Sequence, residues 1–288
     1  MATWCSIESR RNSRVVLDVI LEPLEHGFMI RAFVVAIGIG VLCPMVGSYV
    51  VTRKLAFMGE ALSHTVLPGL VLGYLIGLNP LVIAVPTCVL TALLIGYISR
   101  QTGLSEDTSI GILLAGLFAL GLAMLSLSNR TNVDLEGILL GEILGVSRQD
   151  VWIIFSIGLV TLGTLYLFHK ELVFNSFDPQ GAFVIGLPSR ALDYLLLIII
   201  SLVVVASIQA VGVILMLAML VTPSATAYLM ARSFVSIMFI GSLIGIIAAV
   251  SGLYISYFID LPSGPAMTLT AVGMFMVVAV LRRRLPLK

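Results

Sequence analysis

Glu60 and His64 stand four residues apart in the stretch Ala56-Phe-Met-Gly-Glu-Ala-Leu-Ser-His64, inside a run otherwise apolar enough to cross a membrane. On a helix that spacing puts both side chains on one face, within reach of each other. A carboxylate oxygen and a neutral imidazole nitrogen together suit manganese, iron or zinc. If the helix begins near Leu55, Glu60 lies about 8 Å along it. Ionisable groups at that depth are rare and face a pathway or a partner. Ser63, about 60° round the helix from Glu60, is placed to assist through its hydroxyl or a water. The plainer alternative is that Glu60 and His64 only hydrogen-bond each other or a neighbouring helix.

The elements that must position this pair follow from hydropathy. Of 288 residues, 59% are hydrophobic and 11% charged, with a mean hydropathy of +1.14, whereas a soluble chain carries about 25% charged residues. The long Leu/Ile/Val/Gly runs have the length of helical spans, about 20 residues each, and lack the alternation of membrane barrel strands. The chain therefore reads as an all-α, polytopic transmembrane bundle of about nine spans, near 28–52, 55–77, 79–99, 108–127, 150–168, 191–212, 214–231, 235–258 and 265–281. The uninterrupted run from Ala191 to Ala231 is about twice the bilayer thickness, so it must turn or break, with Gly212 and Pro223 as the candidate points.

Lys and Arg in short loops mark the cytoplasmic side. The Arg53-Lys54 pair, Arg100, the loop bearing Lys170 and Arg190, Arg232 and the tail from Arg282 to Lys288 all fall on one side of a nine-span bundle. Asn79, the 129–148 segment with Asp134, Glu136 and Glu142, and Asp260 fall on the other. The same parity places the N-terminus outside, against the basic residues Arg10, Arg11 and Arg14; a different count around Gly212 reverses that. Asp18 and Glu22 interrupt the apolar run after those arginines, which argues against a cleaved signal peptide. Residues 1–27 read as a short amphipathic lead-in, and 28–288 as a single transmembrane domain without repeats.

The longest loop on the basic side, about 170–190, contains a bounded helix signal. Asp178 is a suitable N-cap and Pro179 suits the first helical position, while Gly186 and Pro188 stop the helix. A short projecting helix of this kind is shaped for docking a partner; the alternative is an ordinary solvated loop. Other polar residues in the spans are weaker signals. Gln209, Thr222 and Ser224 either line a conduit or bond between helices. Gly69, Gly73 and Gly77 form a small-residue face suited to tight helix contact. The methionines, Met216 and Met219 among them, read as packing, since thioethers are poor ligands for a hard ion. Cys5, Cys43 and Cys88 form no CxxC pair and read as packing residues.

Several chemistries have no residues to carry them. There is no GxxxxGK[ST] phosphate loop, so an ATP-driven process needs a separate hydrolytic subunit. HExxH and an intramembrane nucleophile-base set are also missing, leaving no case for an enzyme. A net charge of +1 gives no argument for nucleic acid.

The chain resembles the membrane permease subunits of bacterial ABC importers for manganese, zinc and iron. The likeness is carried by Arg53-Lys-Leu-Ala-Phe-Met-Gly-Glu-Ala-Leu-Ser-His-Thr-Val-Leu-Pro-Gly69, Ser176-Phe-Asp-Pro179, Gln209-Ala-Val-Gly-Val-Ile-Leu through Leu220-Val-Thr-Pro-Ser-Ala-Thr-Ala-Tyr228, and Leu261-Pro-Ser-Gly-Pro265, in the family's order. It implies a homodimer in a bacterial plasma membrane with the ion path at its interface. It also implies cytoplasmic ATP-binding subunits and an extracytoplasmic metal-binding protein that delivers the ion. By the same resemblance Glu60 and His64 are the pathway metal ligands, Ser63 and Gln209 line the path weakly, and Asp178, Pro179, Gly186 and Pro188 form the ATPase-coupling segment. The chain would hold no cofactor of its own: Mn2+ is the expected cargo, with zinc or iron next, and ATP belongs to the partner. Relatives often carry Asp where this chain has Glu60, and an acid where it has Gln180. The rival class is a proton-coupled secondary metal transporter in which Glu60 and His64 relay protons.

Overall fold

In hydrocarbon a backbone finds no water to bond, so a chain of long apolar runs with charges at their ends satisfies itself as helices. The computed structural model describes residues 27–127, 143, 146 and 148–284, and among these the chain is helical with no strand. The helices are α1 (Gly27–Thr52), α2 (Ala56–Thr65), α3 (Leu67–Ile76), α4 (Pro80–Thr102), α5 (Glu106–Leu127), α6 (Arg148–Leu167), α7 (His169–Phe177), α8 (Pro179–Val184), α9 (Ser189–Met230), α10 (Phe234–Ile259) and α11 (Ser263–Arg284). Residues 1–26 of the expected lead-in, and the loop with Asp134, Glu136 and Glu142, lie outside the described residues.

Among the described residues seven helical stretches are long and apolar enough to cross a membrane, or eight if α6 and α7 count as one bent span. The expectation of about nine differs at the 55–77 stretch, which is two ten-residue helices, α2 and α3, meeting at Val66. Each is about 15 Å long, half a bilayer. Pro68 explains the division. It stands four residues after His64, so the His64 carbonyl has no N–H to accept from at the position where an unbroken helix would supply one.

The 189–230 run divides at Gly212, where φ is 75° and ψ 174°, a conformation L side chains rarely adopt. Its two halves, Ser189–Ile208 and Val211–Met230, are each long enough to span. Pro223, the other candidate, lies inside the second half without breaking it.

The centre is built from α1, α9 and α10, which pack on one another, with α11 against α9 and α10. Close approach is possible because glycines face backbone. A side chain at Gly47 would run into the Leu220 carbonyl, and Gly40 and Gly245 lie against each other across α1 and α10. The Pro44 carbonyl in α1 accepts from Ser48 Oγ at 2.8 Å and from Ser224 Oγ at 2.9 Å. Ser224 thus bonds between helices. Cys43 and Cys88 are buried free thiols, and Met216 and Met219 are fully buried, all in packing roles. Of the glycines in α3, Gly69 lies against Thr87 and Gly73 against Pro80, whereas Gly77 is not a packing residue: it ends α3 at φ 76° with open space where a Cβ would stand.

Candidate metal path and docking helix

The helix α2 packs on α5 and on α9, burying Met58, Gly59, Ala61, Leu62, Ser63 and Thr65. Gly59 lies on this inner side, where a Cβ would stand 2.9 Å from Leu220 Cδ2. Left over are Ala56 at the first position and Phe57, 63% exposed, with Glu60 and His64; Ala56, Glu60 and His64 are half-buried. Positions i, i+3 and i+7 form one stripe on a helix, so the two candidate ligands share a face that the described residues leave partly open.

Neither side chain is spent on a partner among the described residues. Among the described residues Glu60 makes no hydrogen bond or ion pair, and His64 makes only an edge contact with Phe118 of α5, ring centroids 5.6 Å apart. The two do not bond each other, so the plainer reading in which they satisfy one another has no geometry here. Ser63 is brought elsewhere. It is 4% exposed and its hydroxyl donates to the Gly59 carbonyl at 2.7 Å, off the open stripe. Gln209 lies on α9 shortly before the break at Gly212; its side chain falls outside the described residues. Among the described residues no three His, Cys, Asp or Glu side chains gather closely enough to hold a metal ion. Among the described residues the chain therefore offers two candidate ligands on a partly open face.

At the other functional candidate, Asp178 caps α8 as its sequence position suggests. Its carboxylate accepts from the Gly181 N–H at 2.8 Å, and Pro179 takes the first helical position. The space a Cβ of Gly181 would need is occupied by that carboxylate. Gly186 ends the segment at φ 85°, and Pro188 stands as the N-cap of α9. The resulting hairpin projects apolar residues: Phe177, Phe183, Val184 and Ile185 are 62% to 82% exposed.

A polar cluster that the sequence did not single out lies at the root of this hairpin. Arg53 Nη1 donates to Asp193 Oδ1 at 2.7 Å, Nη2 to the Asn175 carbonyl at 3.0 Å and Nε to Ser176 Oγ at 3.0 Å. Arg100 pairs with the other oxygen of Asp193 and lies over the Tyr194 ring. Asn175 Nδ2 donates to Asp193 Oδ1 at 2.8 Å. The Glu106 carboxylate at the start of α5 feels the same arginines and aspartate. Arg53, Arg100 and the 170–190 segment thus meet at one end of the bundle, as their charge placement implies. The available signal was Asp193 itself, an acid near the start of an apolar span.

A family model, described as the ABC 3 transport family, matches residues 25–282. The chain is 41% identical over 252 residues to a manganese transport system membrane protein, MntC, of Halalkalibacterium halodurans, covering 88% of this chain and 86% of that protein. It is 38% identical over 278 residues to a chelated iron transport system membrane protein, YfeD, of Yersinia pestis, covering 95% and 92%. Among solved structures, PsaBC from Streptococcus pneumoniae in complex with Fab superposes with a TM-score of 0.81 at 36% identity, over 91% of this chain and 95% of that one. An inward-facing metal-chelate type ABC transporter, at 17% identity and a TM-score of 0.70 over 88% and 85%, shares the fold.

Proposed function

Because the chain belongs to the ABC 3 transport family, we propose that it is the transmembrane permease subunit of an ATP-driven importer for a divalent transition metal in a bacterial plasma membrane. Manganese is the first candidate, being the ion named for the MntC protein of Halalkalibacterium halodurans to which the chain is 41% identical, with iron or zinc next. It is a transport subunit rather than an enzyme, and ATP is hydrolysed by cytoplasmic ATP-binding subunits.

The observation that carries this reading is the open stripe of Phe57, Glu60 and His64. A carboxylate turned to lipid is costly, and a lone pair of ligands holds an ion poorly. A second copy of the chain across a two-fold axis presents the same stripe, so that two carboxylates and two imidazoles converge, a donor set suited to manganese, iron or zinc. Side chains without internal partners have no bond to break before meeting the ion. Contact must also be weak enough for release. The metal is handed over by an extracytoplasmic binding protein, enters the dimer interface facing outward and leaves inward. Such alternation requires the metal contacts to differ between the two states.

The apolar tip of the α7–α8 hairpin is the surface for the ATP-binding subunits. Phe183, Val184 and Ile185 suit an apolar groove, and the Asp178 cap keeps α8 formed as it docks. A proton relay through Glu60 and His64 is disfavoured, since a relay needs a hydrogen-bonded continuation and neither group has one among the described residues.

The test is metal uptake by proteoliposomes holding the permease, its ATP-binding subunits and the binding protein. Glu60→Ala and His64→Ala should each lower manganese uptake by at least about 10- to 100-fold, the loss that removing even a supporting contact of a metal ligand produces, with the complex still assembled. Uptake at the wild-type rate in both variants, or uptake driven by a pH gradient without the ATP-binding subunits, overturns the reading.

A further inference from the structure

The Arg53 guanidinium joins three parts of the chain that the proposed transport cycle must move together. Its own Cα lies at the corner where α1 hands over to α2. That corner is a short non-helical joint: Lys54 has a left-handed φ of 60°, and the Leu55 N–H returns to the Val50 carbonyl at 2.8 Å. Beyond the joint lies α2 with Glu60 and His64. The guanidinium meanwhile reaches both legs of the hairpin that carries α8. On the incoming leg it holds the Asn175 carbonyl and Ser176 Oγ, and on the outgoing leg Asp193. Asn175 Nδ2 to Asp193 Oδ1 ties the legs to each other.

The incoming leg is pinned at its far end as well. His169 Nδ1 and the Tyr49 hydroxyl are 2.9 Å apart, one turn before Arg53 on α1, at the elbow where α7 turns 70° from α6. Phe234 of α10 meets both rings, and Phe177 packs on Phe234. The strut α7 is therefore fixed to the end of α1 by Tyr49 at one end and Arg53 at the other. A force on α8 reaches the α1–α2 corner through these contacts.

Arginine suits that task where lysine does not. Its planar fork gives three directed bonds from one side chain, whereas an ammonium on a flexible stem gives a point charge. A group placed only to neutralise Asp193 needs no such fork, because Arg100 already pairs with the same carboxylate.

We infer that Arg53 is a positioning residue that transmits movement of the docking hairpin to the α2 helix bearing Glu60 and His64, and so sets how tightly ATP hydrolysis is coupled to metal movement. This rests on the permease reading above, in which α8 meets the ATP-binding subunits. The fork passes displacement of either hairpin leg to the corner, and the Lys54–Leu55 joint lets α2 respond without moving all of α1.

The experiment measures metal transported per ATP hydrolysed in the full reconstituted transporter, with both rates normalised to assembled complex. Arg53→Lys is expected to keep hydrolysis near the wild-type rate while the transport-to-hydrolysis ratio falls by about 2- to 30-fold, the span of coupling changes along contiguous contact networks. Ser176→Ala, which removes one arm and leaves the ion pair, is expected to lower the ratio less, and serves as the reading if Arg53→Lys does not assemble. A wild-type ratio in the assembled variants overturns the inference, whether both rates are normal or both have fallen in step as for a merely structural residue. Glu60→Ala and His64→Ala, run alongside, separate the two claims. Intact uptake in those variants overturns the path, while a lowered ratio in Arg53→Lys still supports transmission.

Discussion

Arg53 and Glu60 are close in the chain and opposite in how their polar atoms are met. Arg53 directs its fork at a carboxylate, a carbonyl and a hydroxyl, and Asp193, Arg100 and Asn175 complete the cluster; of its buried side-chain atoms only Asn175 Oδ1 lacks a partner. Glu60 has no internal partner among the described residues, and His64 has only the edge of Phe118. A charge that exists to hold a fold in a low-dielectric setting is paired, because the unpaired group costs too much. A carboxylate that the described residues leave unpaired on a membrane helix is instead free to meet another molecule. The contrast separates the polar groups that brace the bundle from those proposed above to meet cargo.

The strongest way to break that contrast is to truncate one member of each set and measure stability and transport separately. Removing one partner from a buried ion pair costs about 3–5 kcal/mol. Asp193 is 24% exposed, so Asp193→Ala should lose somewhat less, about 2–3 kcal/mol, seen as a lower midpoint in thermal unfolding of the detergent-solubilised permease. Glu60→Ala should leave the midpoint within about 0.5 kcal/mol, as for a substitution that removes no contact, while uptake collapses. A destabilised Glu60→Ala protein would show that the carboxylate has a structural role.

Much of this was legible in the sequence because it depends on composition and on local backbone chemistry. Apolar runs locate the spans, the Asp178-Pro179 pair announces the start of α8, and Gly212 marks where a run too long for one crossing must yield. The spacing of Glu60 and His64 also placed them on one stripe. What was not legible depends on contacts far apart in the chain. Asp193 meets Arg53 and Arg100 across long stretches of sequence, and no local pattern announces such a pairing. Pro68 is a residue type at which helices bend. Two half-length helices instead of one span depend also on how they are received, α2 by α5 and α9 and α3 by α4 and α5. The burial of Ser63 was hidden for a similar reason: it stands next to His64, and only packing tells which side of α2 is sealed.

The braced side of the comparison extends into α8, which allows it to be sharpened with a smaller effect. Replacing an N-cap Asp with Ala typically costs about 1 kcal/mol, and here the lost bond is the one to the Gly181 N–H. Asp178→Ala should speed amide hydrogen exchange in 179–184 several-fold, leaving the global unfolding midpoint of the permease near wild type. Gly181→Ala should do the same by a different route, since its methyl would displace the capping carboxylate. Both should weaken association with the ATP-binding subunits, measured by co-purification at rising salt, and neither should alter metal binding at Glu60 and His64. Unchanged exchange in both variants would mean that α8 is held by its neighbours and not by its cap.

The smallest expected effect tests where the open stripe ends. Ser63 is adjacent to His64, yet its hydroxyl is turned back onto the Gly59 carbonyl and buried against the inner side of α2. A serine bonded back to its own helix stabilises that helix little, and such bonds tend to bend it. Ser63→Ala should therefore change stability by less than about 0.5 kcal/mol and leave manganese uptake close to wild type, in contrast with His64→Ala. If uptake falls as far in Ser63→Ala as in His64→Ala, the hydroxyl must leave Gly59 during transport and reach the ion. Reaching the stripe from the sealed side requires α2 to turn about its own axis between the two states, and so would convert α2 from a fixed wall of the path into its moving part.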